Sequence, residues 1–131
     1  MKKIGILNSE ISKVISELGH TDTIVICDSG LPIPAHVKRI DLALKQGVPS
    51  FMDCLETVLL EMQVEQAFIA SEMDQVTPKL KKQMETSLNG VTVHEVSHEE
   101  LKTMTHQAKA IIRTGEFTPY ANVILQAGVI F

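Results

Sequence analysis

Apolar positions along the chain follow two alternating periods. Residues 9–18 carry Ile11, Val14, Ile15 and Leu18 at i, i+3, i+4 and i+7, which predicts an amphipathic helix. Asn8 or Ser9 would cap it and Gly19 would stop it. Thr23–Cys27 is β-branched and apolar on both faces, the pattern of a buried central strand. It ends at Asp28-Ser29-Gly30-Leu31-Pro32-Ile33-Pro34, a loop punctuated by one Gly and two Pro. Residues 39–44 alternate Ile40, Leu42 and Leu44 with Arg39, Asp41 and Ala43, which predicts a half-buried strand.

A second helix follows Pro49, with Ser50 and Asp53 in capping-box spacing and Phe51, Leu55, Val58, Leu59 and Met62 inward. Residues 66–70 form a short strand. Thr77-Pro78 opens a third helix that Asn89-Gly90 closes. Its thin stripe of Leu80, Met84 and Leu88 predicts the most exposed helix. Residues 91–96 are a strand, and Ser97-His98-Glu99-Glu100 is a second capping box before Leu101 and Met104. Ala110–Arg113 and residues 123–131 are the last strands. The alternation predicts one α/β domain spanning residues 1–131, a three-layer arrangement with helices packed on a mainly parallel sheet, a mixed sheet being the alternative. The chain stays apolar through Val129, Ile130 and Phe131, so its end is expected in the sheet or against a neighbouring subunit.

Composition narrows the function classes. With 131 residues and 44% hydrophobic, the chain can build a core without a disulfide or metal staple, and it is too apolar for disorder. Its 12 Lys and Arg against 16 Asp and Glu leave a net charge of −4. No basic cluster exceeds the Lys81-Lys82 pair, with Lys79 nearby, so the electrostatic footprint of nucleic-acid or anionic-membrane binding is missing. No apolar run approaches the ~18–20 residues of a transmembrane helix. Met1-Lys2-Lys3 starts like a signal peptide but meets Asn8-Ser9-Glu10 with no apolar core between. Cys27 and Cys54 share no CxxC or zinc spacing and read as small buried hydrophobes. A cytoplasmic protein is expected.

No GxGxxG, Walker loop, HExxH or GxSxG occurs, so nucleotide-cofactor, zinc-protease and α/β-hydrolase chemistry lose their signatures. A scatter of polar residues near element ends remains. His20 follows a helix C-terminus, where partial negative charge favours imidazolium; it is either a helix cap or a proton donor. Asp28 ends a buried strand, where open α/β sheets assemble ligand sites, and an Asx turn ahead of Gly30 is the other reading. His94 and His98 stand four apart but on a strand and a helix start, so no shared metal is expected. His36 and His106 read as solvated. In the polar stretch 113–122, Arg113 and Glu116 are expected to pair and hold the loop. Tyr120, the only tyrosine, and Asn122 suit neutral hydroxyls. With no paired Lys or Arg fork, the set fits an uncharged sugar.

Five segments together resemble the D-ribose pyranase family, related to fucose mutarotases. They are Gly5-Ile6-Leu7-Asn8, Leu18-Gly19-His20-Thr21-Asp22, the Asp28 to Pro34 loop, Lys45-Gln46-Gly47-Val48-Pro49-Ser50-Phe51, and the 113–122 stretch. The resemblance covers essentially the whole chain. It implies interconversion of the pyranose and furanose forms of D-ribose without metal or cofactor. It also implies His20 as proton donor, Asp28, His98, Tyr120, Ala121 and Asn122 as substrate-binding residues, and a ring-shaped homodecamer with sites near subunit contacts. Ser29 stands where the family usually carries Ala. A non-catalytic sugar-binding accessory protein, or a mutarotase for another sugar such as fucose, are the alternative implications.

Overall fold

Strand β1 (Thr23–Cys27) sets the centre of the molecule, because Ile24, Val25, Ile26 and Cys27 have no solvent exposure. A strand buried on both faces needs cover on both sides of its sheet. The computed structural model describes residues 1–131 and supplies that cover from helices. In chain order the elements are α1 (Ser9–Glu17), β1, β2 (Lys38–Asp41), α2 (Phe51–Leu59), β3 (Val64–Ala70), α3 (Met73–Val76) and α4 (Pro78–Ser87). Then come β4 (Thr92–Val96), α5 (His98–Met104), a 3₁₀ turn at Thr105–Gln107, β5 (Ala110–Arg113) and β6 (Val123–Ala127). One cluster of 32 buried apolar residues draws on all five helices and on every strand except β4, whose Val93 and Val96 pack against it, which makes this a single domain.

The six strands lie in the order β2-β5-β1-β6-β3-β4. β2, β5 and β1 are mutually parallel, as are β3 and β4, and β6 runs antiparallel between β1 and β3. The sheet is therefore mixed. Its register places Ile26 and Ile69 opposite Val123, so the carboxyl ends of β1 and β3 meet the start of β6. The carboxyl ends of β1 to β5 accordingly share one edge of the sheet with the loop entering β6. Their amino ends share the opposite edge with the end of β6.

Local chemistry places most boundaries as expected. The Asn8 side chain accepts from Ile11 N–H and is the α1 cap. Ser50 and Asp53 form a reciprocal capping box on α2, whereas Ser97 makes only the forward bond, to Glu100 N–H, on α5.

Other expectations are corrected. β2 stops at Asp41, whose carboxylate takes Ala43 N–H and the Arg113 guanidinium, and Leu44 beyond it is exposed. Gly19 stands directly after the α1 C-cap Leu18 as expected, but the left-handed residue of this turn is Thr21, at φ 71°. The one-turn helix α3, too short for a hydrophobic period, went unpredicted. β6 ends at Ala127, so the sheet does not take in the C-terminus, and Ile130 and Phe131 are fully exposed on this chain. Both cysteines are free and buried, and burial pushes their thiols up to about 12 for Cys27 and about 11 for Cys54.

Candidate active site

The expected site residues fall at both edges of the sheet. At the carboxyl edge, Asp28 leaves β1 beside Asn122, which enters β6. The pair is doubly bonded: Asp28 N–H donates to Asn122 Oδ1 at 3.0 Å, and Asn122 Nδ2 donates to Asp28 Oδ2 at 3.2 Å. Gly30 N–H donates to Asp28 Oδ1 at 2.9 Å, the Asx turn foreseen for this loop. Each carboxylate oxygen thus keeps a lone pair for an outside donor. Asn122 and Ala121 are wholly buried, so here the Asn122 amide orients Asp28.

Tyr120 is half-buried and holds a left-handed backbone at φ 63°. Its ring meets His98 edge-on, with centroids 5.0 Å apart. His98 opens α5, and its backbone N–H donates to both oxygens of Glu72 at 3.0 and 3.1 Å. That bond holds the Glu72 carboxyl below its usual range. The His98 Nδ1 is buried and has no partner in this chain. Asp28, His98, Tyr120, Ala121 and Asn122 are therefore brought to one edge.

The loop between β5 and β6 is braced by a set the sequence paired wrongly. Arg113 bonds Asp41 at 3.1 Å and the Ser29 carbonyl at 3.1 Å, not Glu116. Glu116 instead accepts from Phe51 N–H at the start of α2 and from the Thr118 hydroxyl. Burial works against its charge, but these bonds hold the carboxyl below its usual range. Gly115 is required where the loop crosses residues 45–48, since a Cβ there would lie 2.5 Å from the Lys45 and Val48 carbonyls.

His20 lies at the other edge. Its Nε2 sits 3.0 Å from Glu65 Oε2 and 3.2 Å from Oε1, and Gln126 Nε2 donates to Glu65 Oε1 at 2.9 Å. Hydrogen bonds from Gln126 and then His20 hold the Glu65 carboxyl low. Thr21 beside it is pinned through its N–H to the Ala127 carbonyl at 3.0 Å. The two left-handed non-glycine residues, Thr21 and Tyr120, flank the two halves of the expected site, and strained backbone of this kind concentrates at functional positions.

The gap between the halves is large. β1 separates His20 from Asp28, and its five residues cover about 17 Å at the extended rise. Gln126 and Asn122, which adjoin Glu65 and Asp28, are four residues apart along β6, or about 13 Å. No monosaccharide spans that. None of the principal clefts of the chain, 290 to 500 Å³ in volume, is lined by any of the six residues. Sequence reasoning missed Glu65, Gln126 and Glu72. The only local sign of the first was a charged residue two positions before the apolar run 67–70 of β3.

The sequence profile of the RbsD / FucU transport protein family matches residues 1–130. The chain belongs to this family. It is 56% identical over 131 residues to a D-ribose pyranase of Bacillus cytotoxicus and 54% identical to one of Clostridium tetani, with both chains fully covered in each case. A solved RbsD of Bacillus subtilis, complexed with D-ribose, superposes with a TM-score of 0.97 at 51% identity over the whole of both chains. The mixed sheet of this chain is thus the fold of that RbsD / FucU relative from end to end.

Proposed function

We propose that the chain interconverts the pyranose and furanose forms of D-ribose, as a D-ribose pyranase. The observation that carries this reading is the end-to-end likeness to a relative that holds D-ribose. The donor set agrees with it: a free carboxylate, two imidazoles and a phenol suit hydroxyls, with no cationic fork for a phosphate.

Ring opening needs a proton delivered to the ring oxygen and one removed from the anomeric hydroxyl. In this reading His20 as imidazolium gives its proton to the ring oxygen. The bond from that oxygen to the anomeric carbon breaks, the carbonyl forms, and water takes the hydroxyl proton. Reclosure reverses the steps through a different hydroxyl, whose proton returns to His20 while the carbonyl oxygen regains one from water. No proton or electron is gained overall. General acid–base help of this kind contributes about 10²–10⁴ in rate, enough for a conversion that already proceeds slowly in water. Asp28, His98 and Tyr120 hold hydroxyls, with Ala121 and Asn122 completing the wall and keeping Asp28 in place.

The separation of His20 from the other five supports sites built between two copies, His20 from one and the Asp28 group from its neighbour. Self-association into the ring-shaped homodecamer of the family resemblance would supply that contact, and the bare Ile130 and Phe131 offer apolar surface for it. Two free cysteines support a cytoplasmic setting. No helix is long and apolar enough to cross a membrane.

Saturation transfer between the anomeric NMR signals of ribose, with and without protein, tests the activity. Faster pyranose–furanose exchange is expected. Unchanged exchange together with ribose binding would favour the non-catalytic accessory reading instead. Light scattering reads the mass, and a monomer would remove the shared site.

A further inference from the structure

The environment of His20 contains more than a proton donor requires. Glu65 occupies the point where the β3–β6 register slips between Val64 and Gln66, so it faces no partner residue in the ladder. Bulges of this kind re-aim a side chain, and they recur beside active sites. Here the irregularity accompanies a carboxylate turned onto the imidazole, both of its oxygens lying within 3.2 Å of Nε2. Gln126, from the neighbouring strand, fixes one of those oxygens. Gly128 leaves the room, since a Cβ there would lie 3.0 Å from the Glu65 Cβ. The turn holding His20 is tied to β6 from both sides, through Thr21 N–H to the Ala127 carbonyl and Ala127 N–H to the Asp22 carbonyl.

We infer that Glu65, steadied by Gln126, is a positioning residue that fixes the His20 tautomer and leaves Nδ1 to exchange the proton with the sugar. A carboxylate only accepts, so the nitrogen against it must carry hydrogen. In the neutral ring Nε2 is then the protonated nitrogen and Nδ1 the acceptor. In the imidazolium Nδ1–H is the donor. Nδ1 has no hydrogen-bond partner in the chain, whereas Nε2 is fully engaged. The same carboxylate compensates the imidazolium charge each time Nδ1 takes up a proton. His20 enters and leaves each cycle in the same orientation, which removes a reorientation step from both halves of the reaction.

The inference rests on the role proposed for His20, and its two readouts separate the failures. The first needs no variant and no activity: ring ¹⁵N–¹H correlation of the wild-type protein, read above the pH at which His20 loses its proton. The Nε2–H tautomer is expected; a Nδ1–H or mixed ring would overturn the assignment. The second compares ribose exchange and ribose affinity in wild type and Glu65→Gln. The amide can donate or accept, so it no longer dictates which nitrogen is protonated. Maximal exchange should fall about tenfold to a hundredfold, part of the ~10²–10⁴ that an acid–base group supplies, while ribose Kd moves less than about twofold. Equal maximal rates, or a loss confined to Kd, would overturn the positioning role. A wild type without exchange activity would instead sink the pyranase reading, with the tautomer result still standing on its own.

Discussion

Mixing two inactive variants measures whether a site is shared between chains. His20→Ala removes the proposed proton donor at one edge of the sheet, and Asp28→Ala removes the carboxylate at the other. The intervening β1 has five residues, so the two groups of one chain stand about 13–17 Å apart, beyond the reach of a single sugar. If each site takes one residue from either copy, a 1:1 co-assembled mixture restores sites in which both contributors are intact. Random pairing gives about a quarter of wild-type activity, and this fraction is the same for a two-fold interface and for a head-to-tail ring. The assay is the saturation-transfer rate per chain, measured on co-expressed protein and on the parents separately. The His20→Ala parent, which lacks the acid–base group, should be reduced by about 10²–10⁴, and the Asp28→Ala parent should lose exchange through weakened ribose binding. A mixture no more active than its parents would refute the shared site. So would a parent that keeps full exchange.

Other substitutions probe the parts separately. Asn122→Asp would set a second carboxylate against Asp28 and delete the donor to its Oδ2, so ribose affinity should fall at neutral pH and recover partly in acid, as titration calorimetry would register. Glu116 holds a depressed pKa through Phe51 N–H and Thr118, so its stabilisation is present above the unfolded carboxyl range near 4.5 and is lost as pH falls through the lower folded value. Thermal melts of wild type and Glu116→Gln should therefore differ at pH 7 and converge toward pH 3; a constant gap would contradict this. Leu125→Ala opens a void in β6, where Leu125 is wholly buried between β1 and β3, and should cost about 2–5 kcal/mol by denaturant unfolding.

Elements governed by neighbours in sequence were legible from the residues. The stripe of α1, the capping box of α2, the all-apolar β1 and the Pro78 start of α4 are local signals, and each appears where its chemistry places it. Features that depend on distant partners were not. β2 was read through Leu44, but Asp41 spends its carboxylate on Ala43 and Arg113 and ends the strand. Residues 128–131 are as apolar as β6 itself, yet pairing stops at Ala127, which no periodicity signals. The site was legible as a list of residues and not as a geometry. His20 and Asp28 are near in sequence and far in space, whereas Asp28 and Asn122 are 94 residues apart and hydrogen-bonded. Strand order decides both facts. Glu65 acts through a register slip that only the folded pairing reveals.

The antiparallel placement of β6 also governs how the molecule can be made. The last strand of the chain sits between β1 and β3, so it joins the block β2-β5-β1 to the block β3-β4. Until residues 123–127 emerge from the ribosome, each block has an open edge whose backbone groups have no partner. The sheet therefore closes only once residues 123–127 are available, by pairings of long sequence separation that form slowly and expose the nascent chain to aggregation. The same strand opens at Val123, directly after Tyr120, Ala121 and Asn122, and carries Gln126 toward Glu65 at its other end. A chain truncated before β6 would lose the joint between its halves, the strand that anchors Asn122 and the Gln126 bond to Glu65 in a single cut.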